Sequence, residues 1–205
     1  GGGDRLVGVT RHSDFPPAAR HLPIVGDSHA LDYEQILALK PDLLLVWSHG
    51  NGQRQRQALE KLGIPLFYSD PQHVQQLPAA LIRIGQLLGS GTSAQAASTQ
   101  LQQRLQQLER QYAHRAPVRV FYQVWHQPLY TINRQTMIHD VIRACGGINV
   151  FAQLPLRAPT LSVESVLSAN PEVILTGAGM GNTTDAFKMW RGFEHLTANR
   201  YDNFF

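Results

Sequence analysis

TSAQAASTQLQQRLQQLERQYAH, residues 92–114, is the stretch from which the rest of the chain is read. Thr92 followed three residues later by Gln95 matches a capping box, in which each side chain satisfies a free backbone N–H of the other residue. No Gly or Pro intervenes before Pro117, and Gln, Arg, Leu and Ala are sound helix formers. At about 1.5 Å per residue this predicts a rod of roughly 35 Å. Ala97, Leu101, Leu105, Leu108 and Tyr112 step by four, four, three and four, which draws one narrow apolar stripe on a polar cylinder. An ordinary amphipathic helix or a coiled-coil segment has this pattern, and here it separates two stretches that alternate alike.

Upstream, Leu6–Thr10 (LVGVT) is a short apolar run that predicts a buried strand, followed by a proline-bearing loop through Pro17. Leu31–Leu39 predicts a helix with Asp32 as N-cap and Leu31 and Ile36 as a hydrophobic staple across it. Leu43–Trp47 (LLLVW) is uniformly apolar, as in a parallel strand covered on both faces. A loop over 48–52, a helix over 53–62 closed by Gly63, and a strand over 65–69 follow. Residues 70–88 are helical in pattern, and Pro78 either kinks that helix or marks its beginning. Downstream come a strand over 118–124, a loop through Arg134, a helix over 135–144 stopped by Gly146 and Gly147, a helix over 162–169 and a strand over 172–176. The glycine-rich 177–181 and a helix toward Trp190 complete the pattern. Both halves are therefore α/β.

The halves also share a unit. Residues 31–46 (LDYEQILALKPDLLLV) align without a gap on residues 161–176 (LSVESVLSANPEVILT), so that Leu31, Asp32, Glu34, Pro41 and Asp42 meet Leu161, Ser162, Glu164, Pro171 and Glu172. Two copies of one cap, helix, proline and strand unit around a long helix imply two similar lobes bridged by a rod. Glu34 and Glu164 hold the same early helical position, where the helix dipole favours a carboxylate. That explains an acid there, but not why both are Glu.

Composition narrows the function. Hydrophobic content of 43% with 16% charged residues describes a globular chain, and a net charge of +3 is too small to argue for nucleic acid. Cys145 is the lone cysteine, so cysteine usage neither requires nor excludes an oxidising compartment. No apolar run is long enough to span a membrane. The abrupt start on Gly1–Gly3 and finish on Phe204 and Phe205 read as a trimmed fragment.

In parallel α/β sheets, ligands bind outside the carboxyl ends of the strands. The loops predicted there carry Phe15, Trp47 with His49, Tyr68, Trp125 with His126 and Tyr130, and Gly177–Gly181. For any one aromatic, core packing is as good an explanation; their concentration favours a site. His49 and His126 could ligate a metal ion or a haem iron. A dedicated ion site would want three or four convergent ligands, and these loops add only Asp14 and Asp70, so no metal is assigned. The glycines at 177–181 lack phosphate-loop spacing and fit a close backbone turn better. No nucleophile elbow or zinc motif argues for catalysis, and an α/β enzyme stands as an alternative only.

Gly8-Val-Thr to Ser13-Asp-Phe-Pro-Pro, Leu39-Lys-Pro-Asp-Leu-Leu-Leu-Val-Trp, Cys145-Gly-Gly and Val163-Glu-Ser-Val-Leu, in this order around a long helix, resemble the helical-backbone periplasmic binding proteins of ABC importers. Within that class the likeness is to the cobalamin-binding members, and it covers nearly the whole chain. The resemblance implies two Rossmann-like lobes, residues 1–90 and 117–205, both truncated, joined by a backbone helix over 91–116, with the ligand in a cleft between them. It further implies a cobalamin or related corrinoid as ligand rather than a cofactor, with haem, a ferric siderophore or a metal ion as alternatives. A corrinoid is broad, largely apolar and fringed with amides, so aromatic walls suit it. Phe15, Trp47, Tyr68, Tyr130 and Trp190 are the wall residues implied. Trp125 stands where the family often has a small residue, and with His126 it completes the expected ligand set. Glu34 and Glu164 match the paired glutamates that dock onto permease arginines. The protein is expected to be a monomer of the periplasm, free or lipid-anchored.

Overall fold

The computed structural model describes residues 2–27, 29–47, 52–177 and 183–205. They group into two compact units, one of Gly1–Pro71 with Leu77–Thr99, the other of Gln72–Gln76 with Gln100–Phe205.

In the first unit, helix α1 (Tyr33–Ala38) begins where expected: the Asp32 carboxylate accepts the Gln35 N–H at 2.9 Å. Its inward residue Ile36 meets Val46 of strand β1 (Leu44–Val46) and Leu59 of helix α2 (Gln53–Glu60), with Leu31 packed on the same cluster. Strand β2 (Leu66–Tyr68) lies parallel to β1, pairing Leu44 with Leu66 and Val46 with Tyr68. The predicted strand over 6–10 does not form. A short 3-10 turn covers Gly3–Arg5, and the run makes only the isolated bridge of Val9 to Ile24. The partner segment is too short to extend it, because Gly26 (φ 128°) turns the chain to bridge back to Leu31. An added Cβ at Gly26 would collide with the Ala30 carbonyl, so only glycine fits this turn.

Pro78 marks a beginning: helix α3 runs Leu77–Leu87, with proline in its first turn, where a missing N–H costs nothing. The long helix α4 spans Gly91–Tyr112. It starts one residue before Thr92, with the Ser90 carbonyl accepting the Ala94 N–H, so Thr92 lies inside the first turn and is not the cap. The inward stripe holds at Leu101, Leu105, Leu108 and Tyr112 and differs only at its start. Ala97 is exposed, while Ser98 is the buried residue of α4, and the row runs through Ala94, Ser98, Leu101, Leu105, Leu108 and Tyr112. The cause is close packing: Gly85 of α3 approaches Ala94 so nearly that a Cβ on it would overlap the alanine's.

The second unit is built on three parallel strands in the order β6-β3-β7: β3 (Val118–Gln123), β6 (Gly147–Asn149) and β7 (Val173–Thr176). Beyond β7, Phe204 bridges Ile174 in parallel. Strand alternation sends Phe121 and Ile174 to one face, where they join Val166, Phe151 and Trp190. Val120, Tyr122, Val173 and Leu175 face the other way, toward Ile132 and Ile142. Both faces are covered, which explains why VRVFYQV is nearly continuous in hydrophobicity.

Residues 125–130, expected as loop, pair as a short antiparallel hairpin, β4 (Trp125–His126) with β5 (Leu129–Tyr130), around the cis Gln127-Pro128 turn. Helix α5 (Met137–Ala144) is capped by Thr136, whose hydroxyl accepts the His139 N–H. Helix α6 (Val163–Ala169) is capped by Ser162 through the Ser165 N–H. Helices α7 (Thr183–Lys188) and α8 (Thr197–Arg200) follow β7.

The internal repeat survives in three dimensions at the level of backbone angles. Lys40 and Asn170, equivalent in the alignment, both take left-handed conformations (φ 47° and 41°) directly before Pro41 and Pro171. Asparagine tolerates that region and lysine does not favour it, so the shared angle reflects the turn each unit needs between helix and strand.

Burial perturbs one histidine. His139 lies on the inward side of α5, and its Nδ1 has no hydrogen-bond partner among the described residues. Desolvation is the main cause holding its pKa below the ordinary 6.5; nearby Arg143, His73 and Arg134 add to this and Asp140 opposes it. The unfolded chain therefore binds a proton near pH 6.5 that the folded chain refuses, so this contribution to stability is complete above that pH and shrinks as pH falls below it. The urea midpoint is expected to decline between about pH 7.5 and about pH 5.5, and His139→Phe should flatten the decline. Identical pH slopes in the two proteins would remove His139 as a cause.

Candidate functional site

The carboxyl edge of the first unit's sheet is formed where β1 and β2 end. Trp47 follows Val46 and remains 60% exposed, and Tyr68 closes β2 at 40%. Parallel pairing holds these ends together, since the Ser69 N–H donates to the Val46 carbonyl at 3.0 Å. The Trp47 Nε1 donates to Asp70 Oδ1 at 2.9 Å, tying one strand end to the next. Phe15, 87% exposed, precedes Pro16 through a cis peptide bond. His49 and the glycine-rich 178–181 lie outside the described residues.

On the second unit, β3 runs out at Gln123 and the hairpin begins at once. Trp125 and Tyr130 are directly paired across it, and the Trp125 and His126 rings lie 5.3 Å apart at 30°. The Trp125 Nε1 is satisfied by the Gln127 carbonyl at 2.8 Å, which pins the indole to its own turn. Trp125 is 42% exposed, while His126 and Tyr130 are half-buried. The hairpin thus gathers three of the expected ligand residues into one aromatic ledge.

Trp190 is different. Its side chain is fully enclosed, edge-on to Phe121 with ring centroids 5.8 Å apart. Its Nε1 donates to Gln123 Oε1 at 2.7 Å, and the same Gln123 donates through Nε2 to the Ala186 carbonyl at 2.8 Å. The wall role expected of Trp190 is corrected to a core role, because the final helical region folds back over the sheet and buries the ring. Gln123 was not singled out by sequence reading. A Gln ending an apolar strand is the signal that could have found it, since a buried amide needs partners.

A second pairing had no local signal at all. Asp140 on α5 accepts from His73 Nδ1 at 2.9 Å and from the Val74 N–H at 3.0 Å, across a separation of more than sixty residues. This is what places Gln72–Gln76 with the second unit.

Glu34 and Glu164 are both exposed in the first turns of α1 and α6. The Glu164 carboxyl is held below the usual carboxylate range, first by its own backbone N–H and then by the Ser162 hydroxyl. Among the described residues, no group of three or more His, Cys, Asp or Glu side chains converges as a metal site would require.

An α/β chain with parallel sheets, a long helix and aromatic strand-end loops defines a class, and comparison agrees: the periplasmic binding protein family matches residues 1–205, and this chain belongs to that family. Among its relatives it is 38% identical, over 188 residues, to the vitamin B12-binding protein of Yersinia pestis (strain Pestoides F), covering 92% of this chain and 67% of that one. The structure of the periplasmic vitamin B12 binding protein BtuF of Vibrio cholerae superposes with a TM-score of 0.87 at 33% identity, over 98% of this chain and 78% of that chain. The periplasmic heme-binding protein BhuT, solved with two hemes, superposes with a TM-score of 0.84 at 25% identity, over 97% and 78% of the two chains.

Proposed function

We propose that this protein is the solute-binding component of an ABC importer, capturing cobalamin or a related corrinoid in the periplasm and delivering it to the permease. The observation that carries the reading is 38% identity across 92% of the chain to a vitamin B12-binding protein. Residues 1–90 and 117–205 act as the two lobes, and 91–116, which carries helix α4, as the connection between them. The wall residues are Phe15, Trp47 and Tyr68 from the first lobe and Trp125, His126 and Tyr130 from the second. Exposed rings at sheet edges suit a broad apolar ligand, because each buries a large area at small conformational cost. Glu34 and Glu164 present one carboxylate from each lobe to the permease. The protein binds and releases its ligand unchanged, as a monomer, free or lipid-anchored.

Titration with cyanocobalamin should quench tryptophan fluorescence to saturation at one ligand per chain, with a matching calorimetric heat. Trp125→Ala should weaken binding by about tenfold, the scale of one lost aromatic contact of about 1.4 kcal/mol. A folded protein giving neither quenching nor heat would end the corrinoid reading.

Haem is the second reading, favoured by the likeness to BhuT and by His126 on the hairpin ledge. It predicts a Soret shift on adding haem that is lost in His126→Ala.

A further inference from the structure

One contact at the carboxyl edge of the first unit reaches beyond the list of wall residues. Trp47 stands at the end of β1 with most of its ring in solvent. Two side-chain torsions would leave such a ring free to turn, and a mobile ring must be ordered when a ligand arrives, which lowers affinity. The indole has a single polar atom, Nε1, and here it donates to the Asp70 carboxylate at 2.9 Å. The acceptor is charged, which makes this the stronger class of hydrogen bond. Asp70 is itself well placed, because Val46 pairs with Tyr68 and the Ser69 N–H is bonded to the Val46 carbonyl. The two strand ends are therefore locked in register, and the carboxylate two residues past β2 meets the indole one residue past β1.

We infer that Asp70 is a positioning residue: it fixes the plane of Trp47 in the free protein, so that the ring face is already set for a flat ligand. The inference rests on the corrinoid reading given above. Asp70 acts through Trp47, and its carboxylate need not touch the ligand.

The test combines cyanocobalamin binding with indole N–H resonances of the full chain. Asp70→Ala should weaken binding about five- to tenfold, with little change in unfolding midpoint because Trp47 is exposed and Asp70 only half-buried. Asp70→Asn keeps an acceptor oxygen and should bind nearly as the parent does. Trp47→Phe keeps a ring but loses the donor, so it should match Asp70→Ala, and the double variant should be no worse than either single one. Before any ligand is added, Asp70→Ala should shift and broaden the Trp47 indole N–H signal while sparing those of Trp125 and Trp190. Parent-like affinity in Asp70→Ala would overturn the inference. So would an Asp70→Asn as weak as Asp70→Ala, which would mean that charge acts directly, or additive losses in the double variant. If the parent protein binds no cyanocobalamin, the corrinoid reading fails instead, and an unshifted indole signal in the free Asp70→Ala protein would overturn the positioning role separately.

Discussion

Trp190→Ala is expected to lower the unfolding free energy by about 3–5 kcal/mol, the range for deleting a large aromatic from a packed core. The ring is fully buried against Phe121 and shares its cluster with Phe151, Val166, Ile174 and Phe187. Its loss leaves a cavity, and it also strands Gln123, whose Oε1 loses its donor while Nε2 stays on Ala186. Gln123→Leu attacks the same network from the other side. It leaves the indole N–H and the Ala186 carbonyl buried without partners, at about 1–3 kcal/mol for each group. Because the two residues share a hydrogen bond, the double variant should be less destabilised than the sum of the single ones. Urea unfolding measures all three. A cost under about 1 kcal/mol for Trp190→Ala would contradict a close-packed position. Trp190→Phe keeps most of the packing, and its affinity for cyanocobalamin should stay at the parent value, since an enclosed ring cannot serve as a wall.

Reversing both glutamates, Glu34→Lys with Glu164→Lys, is expected to abolish delivery to the permease and leave cyanocobalamin affinity unchanged. Both side chains are exposed in first helical turns, so neither supports a core. Their helix-dipole contribution is screened at such positions, and the fold should tolerate the change. Docking onto basic permease residues would not, because each reversal replaces an attraction by a repulsion of like charges. Uptake by vesicles carrying the permease, set beside calorimetry on the free protein, separates the two roles. Single reversals should fall between parent and double variant. Full transport by the double variant would remove the docking role, and a loss of ligand affinity would move the glutamates into the binding site.

Elements whose signals are local were legible. The Asp32 and Ser162 caps form as read, because a short polar side chain before an apolar-periodic run has few better partners than the N–H groups beside it. The parallel strands were legible from unbroken apolar runs, and the internal repeat reappears in the matched left-handed turns at Lys40 and Asn170. What failed depended on partners distant in sequence. LVGVT had the composition of a strand but found only one bridge, and the hairpin over 125–130 was hidden because each strand is two residues long. The stripe of the long helix held at Leu101, Leu105, Leu108 and Tyr112 and failed only at its start, where Ser98 rather than Ala97 is buried because it is small and Gly85 draws the helix close at Ala94.

By itself the sequence determined the α/β class, the repeated cap, helix and strand unit, the long helix and the aromatic residues of the strand-end loops. Each of these follows from patterns within about twenty residues, where backbone propensity and hydrophobic period decide the outcome. Only the tertiary structure decided that Trp190 is core while Trp47 and Trp125 are exposed, that Asp70 holds Trp47, and that Asp140 gathers in His73. An indole is equally at home in a core or at an edge. Which place it takes depends on what the rest of the chain brings against it, and on where its one N–H finds an acceptor.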